Sequence, residues 1–126
     1  MSKFKYCNND QHCHSQHQPL NKTFEKSTPL VFGCMGFGGN WDNNPVTQEN
    51  IRQANEAVDA ALESGIRVFD HADIYTFGKA ETVFGEILKQ RPALRDEIVL
   101  QSKCGIRFAD TQSTPRTVKH YDLSRP

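Results

Sequence analysis

Asp70, Tyr75 and Lys103 are residue types that together can move a proton. A phenol is a weak acid, an ammonium a few ångströms away favours its ionised form, and a carboxylate on the ammonium keeps that cation charged and fixed. A tyrosine so placed can give and take a proton near neutrality, which is what general acid-base catalysis asks of a side chain. The bland alternative gives each residue a local duty: Asp70 caps a loop, Tyr75 packs over a rim and Lys103 sits in solvent. Burying the ion pair merely for stability would be a poor choice, because desolvation can cancel the Coulomb gain.

Positioning the three residues is the task of the surrounding elements. FDHADIYTFGKAE, residues 69–81, starts as an apolar strand and ends in a helix, so Asp70 falls at a strand end and Tyr75 in the following loop. Upstream, PLVFGCMGFGG (29–39) couples a short apolar run to glycines at 33, 36, 38 and 39, reading as a first strand that enters a glycine-rich loop. From Thr47 the residues Ile51, Ala54, Val58, Ala61 and Leu62 make one helical stripe, with Thr47 as N-cap, Glu49 in the first turn and Gly65 as the left-handed stop. Ile66–Asp70 reads as the second strand, and Val83, Phe84, Ile87 and Leu88 as the stripe of a second helix over about 79–90, ended by Pro92. Glu97 to Lys103 alternates as a third strand. Ile98, Leu100 and Ser102 then face the helices, while Val99, Gln101 and Lys103 share the opposite face, as do Ile66, Val68 and Asp70. Asp70 and Lys103 are therefore expected to meet on an apolar floor.

Strand, helix, strand, helix, strand with short connections predicts a parallel α/β sheet with right-handed crossovers. Both charged residues and Tyr75 project from its C-terminal edge, where active sites of such folds are built. The glycines do not make a Rossmann fingerprint: counting from Gly36, the sixth position is Trp41, and the next helix begins too late to meet a pyrophosphate. Three parallel strands cannot close a barrel that typically takes about 250 residues. The chain, 126 residues long, reads as the N-terminal third of a longer protein.

Composition narrows the partners. Fifteen Lys and Arg balance fifteen Asp and Glu, so no basic field draws nucleic acid or an anionic membrane. No apolar run nears the roughly 18 residues that span a bilayer, and the polar start lacks a secretory core, which points to the cytoplasm. Cys7, Cys13, Cys34 and Cys104 are few and irregularly spaced, as expected of reduced thiols. Residues 1–27 lack periodicity and read as a mobile tail. Its Cys7, His12, Cys13, His14 and His17 are ligand types for zinc or copper, but match no standard finger spacing, so no metal site is expected. Residues 106–126 are polar, hold two prolines and are expected to be a loop without further elements.

VFDHADIYTFGKAETVFGEIL (68–88) and IVLQSKCG (98–105) resemble the second- and third-strand signatures of the aldo-keto reductase superfamily, and LVFGCMGFGG (30–39) resembles its first strand and loop. The close form FDHADIY is similar to one bacterial oxidoreductase subgroup. The resemblance implies the N-terminal part of a (β/α)8 TIM barrel over residues 28–126, which reduces aldehydes or ketones with NADPH, or NADH, bound without a Rossmann domain. It also implies that such a part is inactive by itself. By matching position, Asp70, Tyr75 and Lys103 are the catalytic residues, with Tyr75 as the acid and a small carbonyl compound as substrate. Cys34, Met35 and Asp70 match positions that approach the nicotinamide. The family's fourth catalytic residue, a histidine, belongs to a fourth strand beyond Pro126. His120 reads as a loop residue, His71 as a packing residue directed away from Asp70, and Glu81 and Gly85 as structural. The alternative from another class is a non-catalytic, barrel-related binding subunit.

Overall fold

The computed structural model describes residues 25–108, 120, 121 and 123. The expected tail, with its Cys7, His12, Cys13, His14 and His17, and the side chain of His120 lie outside the described residues.

Three strands, β1 (Val31–Gly33), β2 (Val68–Asp70) and β3 (Val99–Gln101), form a parallel sheet in that order. The register aligns Gly33, Asp70 and Gln101 in one row across the sheet. Helix α1 (Gln48–Glu63) crosses from β1 to β2, and α2 (Lys79–Gln90) from β2 towards β3. Thr47 caps α1 as expected: its hydroxyl accepts from the Asn50 amide at 3.1 Å, and the Asn50 side chain answers on the Thr47 amide at 3.0 Å. Gly65 takes a φ of 79°, the left-handed stop.

Both helices pack on one face of the sheet. Phe69 of β2, fully buried, sits among Val58 and Ala61 of α1, Val83, Phe84 and Ile87 of α2, and Ile98 before β3. Phe32, Phe69, Phe37 and Phe84 continue this core as a chain of rings with centroids 5.5–6.2 Å apart. Each such ring removed from water contributes about 1.5–3 kcal/mol. This layer makes the sheet a rigid platform for whatever projects from its edge.

Several expected bounds shift. β2 begins at Val68, because Ile66 still closes α1, its amide bonding the Ala61 carbonyl at 2.9 Å. Ile66 consequently packs with the helix-side core, and the expected grouping of Ile66 with Val68 and Asp70 does not hold. β3 is shorter than predicted at both ends: Leu94–Glu97 forms α3, a single turn initiated where the Leu94 amide bonds the Arg91 carbonyl beside Pro92, and Ser102 and Lys103 follow the strand instead of ending it. The stretch after Gly105 is not free of elements: β4 (Ile106–Arg107) pairs antiparallel with β5 (His120–Tyr121). Among the described residues no helix is long and apolar enough to cross a membrane.

Candidate active site at the C-terminal sheet edge

Asp70 ends β2, and both of its carboxylate oxygens are used. Oδ1 accepts from Gln101 Nε2 at 2.6 Å, while Oδ2 accepts from Lys103 Nζ at 2.6 Å and from the Tyr75 hydroxyl at 3.4 Å. The Lys103 ammonium also donates to the His71 carbonyl at 2.7 Å and lies 4.9 Å from the centre of the Tyr75 ring. The sheet ladder runs on beyond the strands to hold this arrangement: His71 N bonds Gln101 O and Asp73 N bonds Lys103 O, each at 2.9 Å, so Lys103 is fixed to the loop that carries Tyr75.

Electrostatics agree with the geometry. The Gln101 amide first, then the Lys103 ammonium, hold the Asp70 carboxyl below its ordinary range. Asp70 in turn raises Lys103 above the ordinary amine value. Carboxylate and ammonium are thus both charged throughout the neutral range. With half of the Lys103 side chain in solvent, the pair contributes little to stability. What it does is place a fixed cation beside a phenol.

Tyr75 is held by an unusual turn. Residues Tyr75–Gly78 form a 3-10 turn in which Thr76 and Phe77 have φ of 48° and 56°, left-handed values that side chains rarely adopt. Each such residue costs on the order of 1–3 kcal/mol and persists only where its surroundings enforce it. Here they do: Thr76 is fully buried and its hydroxyl donates to the Phe37 carbonyl at 2.6 Å. Lys79 pairs with Asp42 at 2.7 Å, and Gly38 lets the loop approach, since a Cβ there would lie 2.6 Å from that of Lys79. The loops after β1 and β2 are therefore locked together, with Tyr75 on top.

Against this geometry stand the comparisons with known proteins. Residues 29–122 match the Aldo/keto reductase family. The chain belongs to that family. A 6-dehydroglucose reductase of Agrobacterium fabrum is 36% identical over 95 residues, which cover 75% of this chain and 30% of the relative. A probable voltage-gated potassium channel subunit beta of Arabidopsis thaliana is 27% identical over 88 residues, 70% of this chain and 25% of the relative. Among solved structures, a candidate aldo-keto reductase from Pseudomonas aeruginosa superposes with a TM-score of 0.54 at 28% identity, over 88% of this chain and 38% of that one. The chain thus spans less than two fifths of the proteins it matches. Its three parallel strands and crossover helices correspond to part of the aldo-keto reductase barrel.

Within this aldo-keto reductase segment the other candidate residues separate by face. Cys34 is fully buried, its amide donating to the Asp70 carbonyl at 2.9 Å, and burial first, then the Asp70 charge, push its thiol up to about 12. Met35 is 53% exposed at the rim. Glu81 accepts from the Ser102 hydroxyl at 2.5 Å, tying the start of α2 to the chain after β3.

His71 lies on the helix side, edge-on to Phe84 at 4.7 Å, and neither ring nitrogen has a partner among the described residues. Burial pushes its pKa down, against the opposing pull of Glu81 and then Asp70. Above about pH 6.5 the ring is neutral in folded and unfolded chains alike; below it the unfolded chain takes up the proton first, so stability falls as pH drops towards the lowered folded value. In the full-length protein, Tm followed from pH 7 to 5 is expected to decline less in His71→Leu than in the parent. Equal declines would show that His71 is not the group responsible.

Two features of the site carry weaker sequence signals. Gln101 shares the Asp70 face by simple alternation, yet nothing in its type marks it as a partner of the carboxylate. The left-handed Thr76 and Phe77 have no signal at all, because neither is a glycine.

Proposed function

We propose that the protein carrying this chain reduces aldehydes or ketones to alcohols with NADPH, NADH being the alternative reductant, and that Tyr75 delivers the proton. The observation that carries this reading is the convergence of Tyr75 and Lys103 on one oxygen of Asp70 at the sheet edge. A bound NAD(P)H supplies the hydride. The chain's own residues fit a nicotinamide at this edge: Met35 offers an exposed apolar side chain, and flanking Gly33 and Gly36 leave open space where a Cβ would meet nothing within 4 Å. Cys34, between these glycines, is buried, and its amide joins the loop to the Asp70 carbonyl at 2.9 Å.

In this mechanism the substrate carbonyl oxygen lies against the Tyr75 hydroxyl and takes its proton as the carbon is reduced. The phenol oxygen becomes negative, and the Lys103 ammonium faces that charge. Asp70 keeps Lys103 charged and in place. The matching test is oxidation of NADPH, and separately of NADH, by the full-length protein with an aromatic aldehyde, beside fluorescence titration of each nucleotide. Turnover that depends on aldehyde is expected. The similarity to a probable channel subunit supports a second reading, in which the barrel binds nucleotide and a protein partner without turnover; nucleotide binding with no aldehyde-dependent oxidation would favour it.

A further inference from the structure

We propose that Gln101 is a positioning residue for this chemistry, holding one oxygen of Asp70 so that the other is presented to Lys103 and Tyr75 together. The inference rests on the reductase reading above.

A carboxylate at a strand end can rotate about its terminal torsion, and its two oxygens are equivalent until something distinguishes them. Gln101 distinguishes them. It stands directly across from Asp70 in the β2–β3 register, and its amide nitrogen takes Oδ1 at 2.6 Å. Its own backbone is held by the His71 amide at 2.9 Å, so the donor arrives from a fixed point on the sheet. Oδ2 is left to Lys103 at 2.6 Å and to the Tyr75 hydroxyl at 3.4 Å. Without the amide, the carboxylate is free to turn both oxygens towards the ammonium, drawing Lys103 away from the phenol. An amide suits this duty because it donates without bringing a charge of its own to compete with Lys103. The titratable groups facing Asp70 are Lys103 from the end of β3, Tyr75 from the loop, and the buried Cys34 thiol after β1, with His71 adjoining from the helix side. Gln101 itself is exposed, so replacing it leaves the packed core untouched.

The test uses Gln101→Met, which keeps the length and loses the donor, and Gln101→Glu, which keeps the shape and replaces the donor with an acid. In the full-length protein, carbon-13 NMR titration of the Asp70 carboxyl is expected to move upward in Gln101→Met, and further in Gln101→Glu. The turnover rate should fall about tenfold in Gln101→Met, the order expected for losing one hydrogen bond to a charged group, with nucleotide affinity within twofold of the parent. The acidic limb of the pH-rate profile should shift upward with the titration. A carboxyl titration unchanged in Gln101→Met overturns the positioning role, whatever the activity. A shifted titration in a protein with no aldehyde reduction leaves Gln101's hold on Asp70 standing and removes the reductase reading instead.

Discussion

Tyr75→Phe is expected to lower turnover of an aldehyde by about 10²- to 10⁴-fold, the usual cost of losing a general acid, while leaving nucleotide affinity nearly unchanged. The substitution removes one hydroxyl and keeps the ring. Packing around the ring is secured independently of that hydroxyl, because the turn is anchored by buried Thr76 on the Phe37 carbonyl and by the Lys79–Asp42 pair. Nor does the hydroxyl hold Asp70 in place: at 3.4 Å it is the longest of the carboxylate's three side-chain contacts, beside two of 2.6 Å. The ground-state structure should therefore survive, and the loss should appear in kcat and kcat/KM alike, as when an interaction made only in the transition state is removed. At 1.36 kcal/mol per decade the loss corresponds to roughly 3–5 kcal/mol of transition-state stabilisation. The measurement is steady-state NADPH oxidation together with fluorescence titration of the nucleotide. A variant retaining more than about half of the parent turnover would leave Tyr75 as a rim-packing residue and remove the proposed acid.

The sequence makes the crossover helices legible because amphipathic stripes of period 3.6 and explicit stop signals fix them locally. α2 falls at 79–90 as expected, and Thr47 and Gly65 mark the ends of the α1 segment. The meeting of Asp70 with Lys103 follows from alternation plus the parallel register, since Asp70 aligns with Gln101 and Lys103 is two residues on, on the same face. Strand starts are less legible. At Ile66 the chain still answers to the helix terminus, so the period of two has not begun, and the turn over Leu94–Glu97 takes Glu97, the residue at which alternation starts the third strand. The Tyr75 turn was beyond reading for a different reason. Thr76 and Phe77 adopt left-handed backbone against their local preference, enforced by contacts with residues of another loop such as Phe37. The Gln101 contact likewise depends on register, a long-range property, although alternation alone puts both partners on one face.

Lys103→Met is expected to cost turnover about as much as Tyr75→Phe, but by another route. The hydroxyl remains able to approach the substrate; what disappears is the cation 4.9 Å from the ring centre, which faces the negative charge that develops on the phenol oxygen. The variant also releases the His71 carbonyl and leaves Asp70 with Gln101 and Tyr75 as its side-chain donors. Because Lys103 is half-exposed and the carboxylate, 20% exposed, keeps the Gln101 donor at 2.6 Å, thermal stability should change little. A large loss of Tm would indicate that the drop in rate reflects unfolding, so the two are measured together. The route predicts a further asymmetry in pH. In the parent, Lys103 is held charged above the ordinary amine range by Asp70, so turnover should be insensitive to this amine through neutrality. Combining Lys103→Met with Tyr75→Phe should add almost nothing to either single loss, since an ammonium can assist only a proton transfer that takes place. Losses that multiply in the double variant would show the two residues to act on separate steps. Lys103 would then have a duty other than supporting the proton donor.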